Sequence, residues 1–349
     1  MDTLGGAEFA PETTYLNTAS CGLLPRRAVV AVHALAEENA SGRGAGAGSF
    51  ETVGAARASF ARLAGVPAER VATGGGVSIH VGLIAASLPT GAEVLVPEGD
   101  FSSVITPFSV RGDLKLRYAP LADLAEAVRP GTALVAFSAV QSADGRIADL
   151  AAVRAAAAAH GARTLVDTTQ SAGWLTVDAG LFDYTVTGGF KFLVCPRGTS
   201  FLTVTEEAQE SLAPLHAGWI AGEDLWDSTY GPVKELAHSA RRFDEPTSFL
   251  SYHGAAESLT LLEEIGVDAI RAHNTALAAR FREGLIGLGH EPVPAEGSVI
   301  VSVPGLTHRH PDLERAEVAV AIRAGNVRAA FHIYNSTADV DRALDVLAG

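Results

Sequence analysis

The sequence predicts an α/β protein, with a large domain built on a mostly parallel sheet of seven strands and a smaller α+β domain. Between residues 70 and 204, apolar runs rich in Val, Leu and Ala alternate with Ala-rich helical stretches. Continuous apolar strands separated by helices are typical of a parallel sheet covered on both faces. After about residue 205 this alternation stops. The 349 residues are enough for two domains, which we place at residues 17–235 and at residues 1–16 with 236–349.

The strands of the large domain are short, and turns or helices separate them. The last two are close enough in sequence to pair antiparallel, as a hairpin-like pair or as an edge of the sheet. The predicted strands are residues 70–73, 92–97, 114–120, 132–140, 162–168, 184–189 and 198–204. The predicted helices are residues 78–88, 100–112, 121–128 and 150–161. In the small domain we expect a helical region at 251–288, strands at 298–304 and 326–334, and a final helix at 338–349.

Composition limits the partners of the protein and its location. Hydrophobic residues make up 48% of the chain and charged residues 19%, which indicates an ordered globular protein. Because the net charge is −14, we expect no binding to nucleic acid or to anionic membranes. Two distant cysteines, Cys21 and Cys195, favour a reducing cytoplasm over a disulfide framework. No apolar run reaches membrane-spanning length, and the first ten residues do not resemble a signal peptide.

Neither a metal site nor a dinucleotide site is predicted. No spacing of His, Cys and carboxylate residues fits a metal centre. The glycine-rich stretch SGRGAGAGSF at residues 41–50 does not fit GxGxxG and follows no strand. We therefore expect a mobile loop there.

Two motifs suited to ligand binding fall at the ends of predicted parallel strands, where ligands usually bind in open α/β sheets. TGGGVS, residues 73–78, is a glycine turn that leads into a helix, and bare backbone N–H groups at a helix start bind anions. LVDTTQSAG, residues 165–173, places Asp167 at the end of an apolar strand. A carboxylate in such a position needs a partner, because burying an unpaired charge is costly.

The third feature is Lys191, in the stretch VTGGFKFLVCPRGTSFL. Its sequence neighbours are Phe190 and Phe192, and two glycines precede them. A partly dry, aromatic pocket lowers the pKa of a lysine, so that the neutral amine becomes available as a nucleophile and as a base.

Together the three features suit pyridoxal 5′-phosphate. The phosphate would lie on Gly76, Val77 and Ser78 at the helix start. Asp167 would pair with the ring nitrogen and keep it protonated, since an opposite charge favours the charged form. A protonated ring is the electron sink that stabilises negative charge at the substrate Cα. Lys191 would form the Schiff base with the cofactor.

The order and wording of these motifs resemble the class V aminotransferase family of fold-type I pyridoxal-phosphate enzymes. That family includes cysteine desulfurases, kynureninase, isopenicillin N epimerase-like proteins and ergothioneine-pathway C–S lyases. Eight motifs of the family occur in order over residues 15–349. The resemblance implies the fold of the family, an amino acid as substrate, and a homodimer with active sites at the subunit interface.

The resemblance also implies further cofactor contacts. PEGDFSS supplies Phe101 as the ring stacked on the cofactor, and SAVQSADG places Ser142 or Gln141 at the ring hydroxyl. VDTTQ contributes Gln170 beside Asp167. ARRFDEPTSF contributes Thr247, which in the family often reaches the phosphate of the neighbouring subunit.

For the substrate, the resemblance implies two contacts. YLNTAS contains Asn17, and VRAAFHIYNS contains Arg328. The arginine of this C-terminal motif binds the substrate carboxylate in the family, and the arginine fork suits a carboxylate.

Two departures from the desulfurase pattern bear on the reaction. No cysteine follows Cys195, which argues against a desulfurase that carries a persulfide, and Phe190 stands where desulfurases often have histidine. By analogy with the family we prefer β-elimination from a cysteine conjugate, that is, a C–S lyase. An aminotransferase or an amino-acid epimerase stays open, and so does a catalytically inactive binding protein on the same fold.

Overall fold

The computed structural model describes residues 2–42 and 48–349, so the centre of the predicted loop at 41–50 lies outside the described residues. The helices are α1 Arg26–Ser41, α2 Phe50–Ala64, α3 Val77–Ser87, α4 Ser102–Ser109, α5 Leu150–His160, α6 Glu206–Gln209, α7 Phe249–Ile265, α8 Val267–Gly287, α9 His310–Arg315 and α10 Thr337–Ala348. The strands are β1 Thr14–Tyr15, β2 Val71–Gly74, β3 Glu93–Pro97, β4 Lys115–Ala119, β5 Thr132–Ser138, β6 Arg163–Asp167, β7 Tyr184–Gly188, β8 Ser200–Val204, β9 Ile300–Val303, β10 Val318–Ala319, β11 Ala321–Arg323 and β12 Asn326–Ala330.

The large sheet has the strand order β2-β8-β7-β6-β5-β3-β4. Strand β8 runs antiparallel to both of its neighbours, and the remaining pairs are parallel. Strands β2, β7 and β8 are buried throughout, as expected for strands covered on both faces. The predicted α/β class, the mostly parallel seven-stranded sheet and the antiparallel pairing of the last two strands are therefore confirmed. The expectation that this pair forms an edge of the sheet is wrong, because β8 also pairs with β2.

The strand order reverses between β3 and β5. From β3 the chain adds β4 on one side, and then β5, β6 and β7 follow in order on the other. Open α/β sheets bind ligands at such a switch point, in the crevice beyond the carboxyl ends of the strands. The residues that follow β3, β5, β6 and β7 are therefore the candidates for a ligand-binding site.

Local signals explain several helix ends. Asp149 caps α5 by accepting a hydrogen bond from the backbone of Ala152, and Gly161 ends the helix with φ at 68°. The predicted helix at 150–161 is therefore present almost as expected. The helical region at 251–288 is two helices, α7 and α8, because Gly266 between them adopts φ 87°.

Other predicted elements are shorter in the structure. The helix expected at 121–128 is a single 3₁₀ turn at Leu121–Asp123. The helix expected at 100–112 is α4, which begins at Ser102 and ends at Ser109. The strand expected at 326–334 is β12, which ends at Ala330.

A small sheet, β11-β12-β9, lies near the C-terminal end of the chain. The N-terminal segment joins this region, since β1 pairs in parallel with β10 and Asn17 forms a bridge with Ala330. The segment after β1 therefore links the small sheet to the loops of the large one. The domain limits at residue 17 and residues 235–236 stay a prediction.

Within residues 2–42 and 48–349 no helix combines the length and the apolar character that crossing a bilayer requires.

Candidate active site

A cavity of about 160 Å³ lies at the carboxyl ends of the parallel strands. Its walls come from the segments that follow five strands of the large sheet. The lining residues are Gly76, Val77, Ser78, Phe101, Ser103, Ser138, Ser142, Asp167, Thr169, Gln170, Phe190 and Lys191. Most of the residues that the sequence marks for cofactor binding thus share one cavity, although they span more than a hundred positions.

The glycine turn forms one wall. Strand β2 ends at Gly74, and α3 begins three residues later at Val77, after the extended residue Gly76. No side chain caps the first turn of α3, so its backbone N–H groups stay available to a ligand. A Cβ at position 74 would lie 2.5 Å from Oε1 of Glu245, which explains the glycine at the end of the strand.

The backbone N–H of Gly75, the next residue of the turn, already has a hydrogen-bond partner. Gly75 donates its backbone N–H to Oε2 of Glu245 at 3.1 Å. Burial raises the pKa of the Glu245 carboxyl. The turn therefore attracts negative charge even within the chain itself.

Asp167 ends strand β6 and is buried. One carboxylate oxygen accepts the backbone N–H of Thr169 at 2.8 Å. Burial raises the Asp167 pKa to about 6, although the bond from Thr169 and the charge of Lys191 oppose this shift. A buried carboxylate of this kind gains most from a cation that it can pair with.

Lys191 is 6% exposed and follows β7. Its Nζ lies 5.0 Å from the ring centre of Phe101 and 5.7 Å from that of Phe190. Burial, and then the nearby arginines led by Arg328, lower the Lys191 pKa to about 8, while Asp167 acts in the opposite direction. The amine is therefore partly neutral near neutral pH, as nucleophilic and base chemistry require.

The expectation that both Phe190 and Phe192 lie beside the Lys191 amine is wrong. The aromatic residues beside the amine are Phe190 and Phe101, whereas Phe192 packs in the core against Trp174 and His332. The backbone of the loop is held from the N-terminal segment: the N–H of Gly22 donates to the Phe190 carbonyl at 2.9 Å. A Cβ at position 22 would lie 2.1 Å from the Lys191 carbonyl oxygen.

The two candidates for the ring hydroxyl separate clearly. Gln141 donates its amide to the buried carboxylate of Asp100 at 3.1 Å and does not line the cavity. Ser142 does line it, and its hydroxyl accepts from Gln170 at 2.9 Å and from Arg328 at 3.1 Å. Of the two residues, only Ser142 therefore lines the cavity.

Arg328 lies on β12 and is 1% exposed. Its guanidinium donates to the carbonyl and hydroxyl of Ser142 and, at 2.7 Å, to the hydroxyl of Ser20. Its Nε is buried without a partner in the described residues, and no ion pair neutralises it there. Burial, and then the charge of Arg323, lower the Arg328 pKa to about 10.

Other predicted residues occupy different positions. The side-chain oxygens of Asn17 and Gln170 are buried and lack partners among residues 2–42 and 48–349. Thr247 does not line the cavity; it lies just before α7, and its carbonyl accepts the N–H of Phe249.

Sequence reasoning missed several groups at the site. Ser103, Ser138 and Thr169 line the cavity, and Asp100 accepts hydrogen bonds from the backbone and hydroxyl of Ser138 behind it. Asp100 follows β3, just as Asp167 ends β6, so the rule that identified Asp167 also applies to Asp100. The serines carry no comparable signal, since serine is common in every loop.

The site fits pyridoxal 5′-phosphate on its own geometry. An uncapped helix start offers N–H groups to a phosphate. The cavity is also lined by the buried carboxylate of Asp167, which forms no ion pair among the described residues, by the buried amine of Lys191, and by Gln170, whose buried amide oxygen has no partner among those residues. The described residues hold no cluster of three His, Cys, Asp or Glu side chains suited to a metal ion.

Comparison with known proteins gives consistent results. The family model of class-V aminotransferases matches residues 14–343. An uncharacterized aminotransferase, YcbU, of Bacillus subtilis is 27% identical over 310 residues, covering 84% of this chain and 82% of the relative. Isopenicillin N epimerase of Streptomyces clavuligerus is 28% identical over 344 residues and covers 84% of each chain.

A solved structure shows the same fold along nearly the whole chain. The apo cysteine desulfurase of Thermococcus onnurineus NA1 superposes with a TM-score of 0.84 at 25% identity, covering 97% of this chain and 94% of that one. The fold-type I assignment is thereby confirmed. The chain belongs to the class-V aminotransferase family, and it is a pyridoxal-phosphate-dependent enzyme.

Proposed function

We propose that the protein acts on an α-amino acid and catalyses β-elimination from a cysteine conjugate, releasing a thiol. The observation that carries the amino-acid assignment is Arg328. A buried guanidinium with no acidic partner among the described residues is costly, and the anion of a ligand removes that cost. The substrate α-carboxylate is such an anion, and Ser142 holds the guanidinium beside the cavity that contains Lys191.

The cofactor, when bound, withdraws electrons from the substrate Cα. Gly76, Val77 and Ser78 would hold its phosphate, and Asp167 would keep its ring nitrogen protonated. The pairing lowers the Asp167 pKa, because the carboxylate then faces a cation. Phe101, Ser142 and Gln170 would contact the ring.

The amine of Lys191 would accept the Cα proton. With its pKa near 8 it is available as a base without strong alkali. In β-elimination the C–S bond then breaks, and the thiolate leaves with the bonding electron pair. Hydrolysis of the remaining enamine, after tautomerisation, gives pyruvate and ammonia. Arg328, with Asn17 near the same segment, would orient the carboxylate so that the Cα–H bond faces Lys191.

Chemistry at a C–S bond is supported by the likeness to a cysteine desulfurase over nearly the full chain. A mobile persulfide-carrying cysteine does not fit, because the two cysteines are at positions 21 and 195. Cys195 is buried, which raises its thiol pKa well above the usual value. A cysteine conjugate already carries its leaving group, so that elimination from it needs no cysteine nucleophile.

The test uses purified holoenzyme and an S-alkyl cysteine, with Lys191→Ala as the control. We expect equimolar pyruvate and thiol from the wild type and none from the variant. Conversion of the bound cofactor to its amino form without thiol release would establish an aminotransferase instead, as the naming of the Bacillus relative suggests. Loss of Cα stereochemistry alone would establish an epimerase, and a protein that stays colourless with the cofactor would be a binding protein.

We also propose a homodimer, supported by the position of Thr247. This residue lies outside the cavity lining, as expected if it contacts the phosphate of a neighbouring subunit. Trp226 and Tyr230 expose 74% and 92% of their surfaces in the single chain, and large exposed aromatic residues mark interaction surfaces. Light scattering on the eluting protein would give twice the chain mass; a monomeric mass at working concentration would overturn the proposal.

A cytoplasmic location rests on the two unpaired cysteines, which suit a reducing compartment. Cell fractionation with an antibody against the protein would test it.

A further inference from the structure

Two arginines from one hairpin share a single hydroxyl at the edge of the site. Arg328 on β12 donates to Ser20 Oγ at 2.7 Å, and Arg323 on β11 donates to the same oxygen at 3.2 Å. Arg328 is buried, whereas Arg323 is exposed. The pair therefore runs from the interior of the site to its mouth.

Nothing acidic neutralises this pair within residues 2–42 and 48–349. Arg323 makes its remaining side-chain contact with the carbonyl of Ile322, and Arg328 with Ser142. Arg57, Arg62 and Arg117 each contact a carboxylate instead. Two cations this close repel each other, and their proximity costs free energy until anions bind.

Arg197 adds a third positive charge. Its guanidinium lies 4.3 Å from the ring centre of Phe190, next to Lys191, and it too forms no ion pair among the residues that the structure describes. The charges of Arg328, Arg197 and Arg323 all lower the Lys191 pKa. Three positive charges therefore act on the amine in the cavity, in a chain whose net charge is −14.

The anions assigned so far do not account for this charge. The phosphate has the helix start of α3, and the substrate α-carboxylate has the buried Arg328. Arg323, at the mouth, is left without an anion. An amino acid whose α-carboxylate lies on Arg328 would bring its side chain near Arg323, because the two guanidinium groups share the Ser20 hydroxyl.

We propose that Arg323 binds a second anionic group at the end of the substrate side chain, so that the substrate class is α-amino acids with an acidic side chain. This inference rests on the proposed function. Within cysteine conjugates, it selects those whose sulfur substituent carries a carboxylate or a similar anion. Ser20 acts as a positioning residue, because its hydroxyl holds both guanidinium groups.

The experiment compares two ligands that differ in one charge. S-Carboxymethylcysteine and S-carbamoylmethylcysteine have nearly the same shape, but only the first carries a carboxylate on its side chain. Their dissociation constants are measured with the holoenzyme from the change in visible absorbance, and kcat/KM is measured from pyruvate release. The variants are Arg323→Met, Arg323→Lys and, as a control, Arg154→Met, an exposed arginine on α5.

We expect the wild type to bind the carboxymethyl ligand about fourfold more tightly than the carbamoylmethyl ligand, which is near the upper end of what an exposed charge pair provides. Arg323→Met should remove this preference and leave the carbamoylmethyl ligand within about twofold of its wild-type affinity. Arg323→Lys should keep part of the preference, since it keeps the charge. Arg154→Met should change neither ligand.

Two results would overturn the inference while the proposed function stands. The first is equal wild-type affinity for both ligands. The second is an equal loss of both ligands in Arg323→Met, which would place Arg323 on the α-carboxylate beside Arg328. If neither ligand changes the absorbance or releases pyruvate, the proposed function fails and the inference fails with it.

Discussion

Arg57 and Arg328 are both largely buried, but their surroundings differ. Arg57 on α2 forms two hydrogen bonds with the carboxylate of Asp244, at 2.6 and 3.0 Å, and a third with the Val71 carbonyl at 2.6 Å. Arg328 contacts only neutral oxygens, and its Nε has no partner in the described residues. Burial lowers the pKa of Arg57, but Asp244 reverses the shift, whereas the Arg328 pKa stays low.

The charge of Arg57 therefore stabilises the fold, whereas the charge of Arg328 is available to a ligand. The Arg57–Asp244 pair joins α2 to the end of β2, since Asp244 also accepts the backbone N–H of Thr73. Arg328 joins β12 to Ser142 and Ser20, but only through neutral oxygens. Its unpaired charge lowers the stability of the unliganded protein, and a bound anion raises that stability. The site therefore favours anionic ligands.

The strongest test of this contrast is Arg57→Met. The substitution leaves the buried carboxylate of Asp244 without its cation, and losing one partner of a buried pair costs about 3–5 kcal/mol. We expect that loss in the free energy of unfolding measured with urea. The double variant Arg57→Met with Asp244→Leu should recover part of it, because no buried charge remains. A loss below about 1 kcal/mol in the single variant would mean that solvent reaches Asp244.

Arg328→Met should have the opposite profile. We expect the free energy of unfolding to stay the same or rise, because the variant replaces an unpaired buried charge with an apolar side chain. Amino-acid affinity, measured from the cofactor absorbance, should fall about 100-fold, the value of a buried charged hydrogen bond. A stability loss like that of Arg57→Met would show that Arg328 is structural.

The pH dependence of cofactor attachment gives a finer test. Lys191 attacks as the neutral amine, so its lowered pKa means that the rate rises with pH and levels off above about 8. Arg328→Met removes a nearby positive charge, which raises the Lys191 pKa and moves the midpoint upward. Stopped-flow absorbance at a series of pH values measures both. An unchanged midpoint in the variant would contradict the electrostatic coupling.

The smallest effect is expected at an exposed pair. Arg280 and Asp341 form an ion pair with about half of each side chain exposed. Since solvent and salt screen such pairs, Arg280→Met should leave the urea midpoint and the amino-acid affinity unchanged. A clear loss of stability in this variant would mean that the exposure of an arginine does not predict how much its charge contributes to stability.

The sequence predicted the parts of the site that depend on strand ends. Asp167 and Lys191 follow apolar strands, and the carboxyl ends of parallel strands share one edge of the sheet. Placing them together therefore required only local patterns and the fold class. Such patterns do not show whether Gln141 or Ser142 lines the cavity, because this depends on the direction in which each side chain of the loop points.

Contacts between distant segments had no local signal. The pair of Arg57 and Asp244 is separated by 187 positions, and Ser20 and Arg328 by 308. The family motif predicted Phe101 as the ring stacked on the cofactor, and in the structure this ring lies beside Lys191. The burial of Phe192 in the core depends on how the loop after β7 turns. Val194, in that same loop, has φ 48°, a conformation that valine rarely adopts and that the sequence alone does not indicate.

The pairing of β1 with β10 has a consequence for the order of folding. It joins the two ends of the chain, and Ser20, which follows β1, meets Arg328 only when the last strands are present. During synthesis the segments that carry Asp167 and Lys191 leave the ribosome well before β12, and contacts between chain ends form late. We therefore expect a nascent chain stalled before residue 300 to be able to attach the cofactor, as measured by reductive trapping. The capacity to choose a substrate would be completed only after β12 has left the ribosome.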